Sequence, residues 1–257
     1  MLRSYHHIIS LGLNCEPSYV LEDLYGPLDS YVFSWALVPN VPELVLALDD
    51  MAAIFSQGYD IAHGSYDMFR CLHTGIQFHG KSDLRAGAYE SALLEAAFAE
   101  LLSRLAYLQK KLCRALRSGR RVLCVVKNHN RGGSARGFDS AEALHLKRAL
   151  DQLADGGHVD LLCVDREGCV PPELDPQCAR QGIYKRLLAG FAPGERAYFY
   201  DIPGWARIFA EFDSVHAPCR GASFAERVQQ ITQQCESSRA ARLRKIDQRV
   251  RPSEFCG

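Results

Sequence analysis

Two short apolar runs on either side of a capped helix constrain the fold of this chain more than any other feature. Residues 121–127 read RVLCVVK and residues 159–164 read VDLLCV. A strand with one wet face alternates apolar and polar residues. Both runs are nearly continuous instead, which suits strands buried on both faces. Between them, Asp139 and Glu142 stand three residues apart, like a capping box, at the head of a segment that stops at Gly156 and Gly157. Strand, helix and strand in that order imply a crossover connection and parallel pairing. The expected fold class is α/β: three layers, with a mainly parallel sheet and helices on both faces, in a single domain spanning residues 1–257.

The rest of the chain fits that scheme. His6 to Leu11 reads as a first strand, Gly12 to Glu16 as a tight turn, and Pro17 as the opening of a helix that Gly26 stops. A second helix is expected from Pro42 to about Ser56. A third is marked by Leu94, Phe98, Leu101, Leu105, Leu108, Leu112 and Leu116, whose spacings of three and four keep one stripe apolar until Gly119. Ala197 to Tyr200 reads as a further short strand, and Pro203 to Phe212 and Phe224 to Val250 as helices. The last lies in a helical, basic C-terminal extension, residues 222–257, whose Arg239, Arg242, Arg244, Lys245, Arg249 and Arg251 read as a solvated face.

Composition narrows the function. With 47% apolar and 23% charged residues the chain is globular and not a disordered tail. Thirty basic residues against thirty acidic ones provide no global field toward nucleic acid or anionic lipid, so neither is an expected partner. The most apolar stretch, Val41 to Phe55, is interrupted by Glu43, Asp49 and Asp50, so no membrane span is expected. No secretory signal is legible at the start of the sequence, and the expected location is cytoplasmic. Ten cysteines are too few for a disulfide-built scaffold and none forms a C-x-x-C pair; Cys124 and Cys163 fall inside the strand runs as small hydrophobes. No cofactor or metal is expected. Gly12 lacks the companions of a dinucleotide loop, Arg131 to Ser134 lack the Walker spacing, and His129 with Asp165 does not make a metal motif.

Cys15 stands apart. It follows the first strand, at the edge of a parallel sheet where ligands and catalytic groups gather, and it precedes a helix whose N-terminal dipole favours a thiolate. Glu16 opposes that, because its charge would raise the thiol pKa unless it is paired or turned away. The bland alternative is a cysteine that fills the strand-to-helix corner.

Ser10 to Glu16 read SLGLNCE, and Val32, Phe33, Ser34, Trp35 and Pro39 follow. This pattern resembles a bacterial family of papain-like cysteine peptidases, a domain of unknown function that opens with an S-L-G-x-x-C turn and continues to a Phe/Leu-Asp-Trp box and a proline. The run at 121–127, LLCVD at 161–165 and Trp205 in GWARIF also resemble it. The resemblance reaches to about residue 212 and implies a cysteine hydrolase or acyltransferase. Two positions depart from the pattern: Ser34 replaces the acidic residue before the tryptophan, and the family's His-Asp pair is broken, since Gly80 follows His79 and Thr74 follows His73. Asp83 or Asn128 would then have to orient the histidine, or the site is weakened.

Acyl transfer requires a base within reach of the thiol and a group that orients the base. His79, in GIQFHG, matches the family's histidine by its distance from the strand at Arg121 and ranks first; His73 is second. His6 and His7 belong to the first strand, and His145 and His158 read as solvated. Asn14 or the turn amides would stabilise the oxyanion. A rival arrangement comes from Asp213 and His216 in DSVHAP, which look like the Asp-x-x-His block of SGNH-type esterases. The same spacing recurs at Asp60/His63 and Asp155/His158, so the motif alone is weak. The expected function is therefore a cysteine-dependent hydrolase or acyltransferase of papain-like type acting on a peptide, ester or sugar-like substrate. The alternatives are an SGNH-like esterase using Cys15 with Asp213 and His216, and a non-catalytic binding module in which the Cys15 turn and the Asn128 to Gly137 loop hold a small polar or sugar-like ligand.

Overall fold

The computed structural model describes residues 4–26, 30–62, 68–80, 91–128, 136–192, 197–214 and 222–250. In chain order the elements are β1 (Ser4–Tyr5), β2 (His7–Ser10), α1 (Glu16–Tyr25), β3 (Ala36–Leu37), α2 (Val41–Asp49), β4 (Tyr59–Ala62), β5 (Met68–Cys71), β6 (Gln77–His79) and α3 (Ser91–Leu116). Then follow β7 (Val122–Lys127), α4 (Ser140–Ala154), β8 (Val159–Arg166), α5 (Pro176–Arg180), β9 (Ile183–Leu188), α6 (Ile202–Ala210), β10 (Asp213–Ser214) and α7 (Phe224–Val250).

The fold is mixed α/β. Its central sheet has the order β2-β7-β8-β9 and every pairing in it is parallel, with Ile9 beside Cys124, Cys124 beside Leu161 and Leu161 beside Ile183. The runs at 121–127 and 159–164 are therefore parallel neighbours, as expected, with the first strand on the far side of β7. All six residues of β7 are buried, as the continuous apolar run requires. Alternation along the strands divides the core in two. Ile9, Cys124 and Leu161 pack with Leu44 of α2, Leu105 of α3 and Leu146 of α4. Ile8, Leu123 and Leu162 pack with Val20 of α1, with Trp205 and Phe209 of α6 and with Cys235 of α7.

A second, antiparallel sheet of order β3-β6-β5-β4 departs from the simple three-layer expectation. Its strands are two to four residues long, too short for alternation to stand out in the sequence. Aromatic packing holds it to α3: the Phe98 ring lies 3.9 Å from that of Tyr59 and 5.4 Å from that of Phe69. Three further expectations change. α2 ends at Asp49 rather than Ser56, because the Asp50 side chain accepts from Ala53 N and starts a separate 3-10 turn. Residues 197–199 form a turn and not a strand. Here Tyr200 is anchored by a side-chain bond to Asp23 (2.7 Å) instead of by a ladder. β9 was not foreseen, because Lys185 and Arg186 interrupt its apolar residues.

The capping box at Asp139 and Glu142 is present with both of its bonds. The basic C-terminal helix is not wholly solvated. Arg242 reaches Asp23 on α1 with two bonds, of 2.9 and 2.5 Å, and Asp23 is almost fully buried. None of the described helices is long and apolar enough to cross a membrane.

Candidate active site

The turn after β2 is set by its backbone. Gly12 and Leu13 both have positive φ (81° and 69°), which swings the chain off the sheet edge. A β-carbon at Gly12 would lie 2.9 Å from the Phe33 carbonyl oxygen and 3.2 Å from that of Ala36, so only glycine lets the 33–38 segment close on the turn. Asn14 Oδ1 accepts from Glu16 N (3.0 Å), and Tyr19 N donates to the Cys15 carbonyl, which opens α1. Cys15 stands at the N-cap, but its side chain makes no capping bond, so the thiol is left for other chemistry.

The partner of that thiol comes from the antiparallel sheet. His79 ends β6, with Phe78 paired to Ala36 of β3, the segment that closes on the Gly12 turn. Cys15 Sγ lies 3.7 Å from His79 Nε2. The His79 carbonyl accepts from Arg104 Nη2 of α3 (2.6 Å), which fastens the strand end to a long helix.

Burial pushes the Cys15 thiol up to about 11. Burial, helped by the positive charge of Arg104, holds the His79 imidazole below its ordinary value. Both shifts favour the uncharged forms. The resting pair is thus a thiol beside a neutral imidazole, and the thiolate expected from the helix dipole alone gives way to desolvation. Such a pair can still act if the imidazole takes the proton while the sulfur attacks.

Glu16 does not oppose the thiol in the way its position suggested. Its side chain is fully buried: Oε2 lies 3.0 Å from Lys127 Nζ and accepts from Ala192 N (3.1 Å), while Oε1 accepts from Trp205 Nε1 (2.9 Å). Lys127, Trp205 and Arg104 were not singled out as site residues from the sequence. The available signal for Lys127 was a cation closing an otherwise apolar strand run.

The other candidates are dispersed. His73 sits in the turn of the β5–β6 hairpin, at the end away from His79. His145 and His158 are exposed. Asn128 donates to Asp165 Oδ1 (2.7 Å) and to the Arg136 carbonyl (2.8 Å), so its amide is engaged at the end of β7. Ser34, in place of the acidic residue, accepts from Tyr31 N through its hydroxyl (3.0 Å) and from the Ser18 hydroxyl through its carbonyl, a turn-forming role. Asp213 pairs with Ser4, ahead of β2, whereas Cys15 follows the other end of that strand. Six residues at about 3.3 Å each allow at most roughly 20 Å between Ser4 and Ser10. His216, Asp83, His129 and residues 131–135 of the polar loop lie outside the described residues.

The chain matches no family model, no curated protein and no solved structure. Among the described residues no group of three His, Cys, Asp or Glu side chains is arranged to hold a metal ion.

Proposed function

We propose that this protein is a cysteine-dependent hydrolase or acyltransferase of papain-like type, with Cys15 as nucleophile and His79 as general base. The observation that carries the reading is the 3.7 Å approach of Cys15 Sγ, at the head of α1, to His79 Nε2, at the end of β6, two residues 64 positions apart in the chain. As Sγ bonds to the carbonyl carbon of a peptide, ester or related acyl substrate, its proton passes to Nε2. For this step the imidazole carries its own proton on Nδ1. The carbonyl oxygen becomes an oxyanion, for which the Asn14 amide and the turn N–H groups are the candidate donors; the Asn14 Oδ1 accepts from Glu16 N, so Nδ2 is the group that would donate. The protonated imidazole then returns its proton to the leaving group, and water or another acceptor attacks the thioester with the same base.

Site-assigned alkylation tests the pair directly. Cys113 is comparably exposed to Cys15, and the other described cysteines are buried. Mild iodoacetamide at neutral pH is expected to modify Cys15 ahead of Cys113, because the His79 imidazole lies 3.7 Å from the Cys15 sulfur. His79→Ala is expected to slow Cys15 modification roughly tenfold or more and to leave Cys113 unchanged. Labelling of Cys113 first, or an unchanged Cys15 rate in His79→Ala, overturns the reading and favours a binding module.

A further inference from the structure

The end of β7 carries a charge for which a packed core has no need. Lys127 and Glu16 are the two partners of an ion pair with side-chain exposures of 1% and 0%. Replacing such a pair with apolar residues of similar size is often neutral or stabilising, so stability is a weak account of its presence. Its location is more informative. Glu16 is the residue after Cys15, and Lys127 ends the strand hydrogen-bonded to β2, from which the Cys15 turn departs. Around the pair, Trp205 Nε1 and Ala192 N occupy the remaining carboxylate positions, and the Lys127 ammonium lies 3.6 Å from the centre of the Phe191 ring. The carboxylate is therefore held from three elements. Burial holds the Lys127 pKa below its ordinary value, against the opposing pull of the Glu16 carboxylate.

We infer that Lys127 tunes the Cys15 nucleophile through Glu16: it neutralises the carboxylate of the residue that follows the thiol, so that this charge does not oppose thiolate formation. This rests on the proposed role of Cys15. Lys127 touches neither the sulfur nor a substrate, and it acts only through Glu16. Without the cation, an ionised carboxylate one residue from the thiol would disfavour thiolate formation. A buried carboxyl group that has lost its counter-charge ionises at higher pH than one that keeps it, so the penalty on Cys15 should set in as the pH rises.

Alkylation of Cys15 by iodoacetamide, followed from pH 7 to pH 10 with site assignment by mass spectrometry, reads this out without any knowledge of the substrate. Lys127→Met is expected to follow the wild type near neutrality and then to fall behind, reaching about a tenfold deficit at the alkaline end. The double variant Glu16→Gln/Lys127→Met, again uncharged in sum, is expected to track the wild type within about twofold. Glu16→Gln alone leaves the cation uncompensated and should displace the profile toward lower pH. That arm decides the matter if Lys127→Met does not fold. A deficit that is equal at all pH values and shared by the double variant, or profiles that coincide in all four proteins, overturns the inference. Failure of the underlying Cys15–His79 reading is distinguishable, since it would appear as an unchanged rate in His79→Ala whatever the Lys127 variants do.

Discussion

Replacing Gly12 with alanine tests how the fold builds the site. The residue has φ +81°, and a β-carbon there would meet the Phe33 carbonyl oxygen at 2.9 Å and Val38 Cγ2 at 3.1 Å. A left-handed conformation costs an L-residue about 1–2 kcal/mol, and forcing a methyl group against packed backbone typically costs about 1–3 kcal/mol more. Gly168 separates the two contributions. It has the same φ, +81°, but an added β-carbon would meet nothing within 4 Å. Gly168→Ala should therefore lose about 1 kcal/mol and Gly12→Ala about 3 kcal/mol, measured by urea unfolding with m unchanged. The strained turn should also move Cys15 away from His79 and slow its alkylation in the folded Gly12→Ala protein, with Gly168→Ala retaining the wild-type rate. Equal stability losses for the two variants would refute the close-approach argument. A destabilised Gly12→Ala with unaltered Cys15 reactivity would refute the claim that this turn positions the nucleophile.

Two further outcomes follow from the charges. Arg242→Ala removes the guanidinium fork from Asp23, a carboxylate 1% exposed that then retains the Tyr200 hydroxyl as its side-chain donor among the described residues, and should lower stability by about 2 kcal/mol in thermal or urea unfolding. A loss below about 0.5 kcal/mol would instead mark it as an ordinary surface pair. The imidazole of His79 is held below its unfolded value of 6.5, so the unfolded chain takes up the proton first as the pH falls. Its contribution to stability is thus complete above 6.5 and diminishes below it, and Cys15 alkylation should fall more steeply than hydroxide dependence alone as His79 protonates; His79→Ala should abolish that extra inflection.

Much of the framework was legible without coordinates. Continuous apolar runs at 121–127 and 159–164 can be satisfied only by burial on both faces, and the helix between them forces parallel pairing, so the centre of the sheet followed from local pattern. Cys15 was legible for a related reason: its position after the first strand and before a proline-started helix is a local property. The proposed base was not legible in the same way. Nine histidines offered comparable local contexts, and a distance along the chain ranked His79 without placing it. What brings it to 3.7 Å is the pairing of β6 with β3 and the closure of the 33–38 segment on Gly12, contacts between short strands whose sequences carry almost no periodic signal.

Tertiary structure also settled the charge on the site. From the sequence, a helix N-terminus argued for a thiolate and an adjacent Glu16 argued against one. Neither consideration prevails, because burial outweighs the helix dipole and Lys127, 111 residues away in the chain, takes up the carboxylate. Hydrophobic periodicity is written residue by residue and survives in any window of sequence. Desolvation and ion pairing depend on which distant groups share a small volume, and only the folded chain defines that volume.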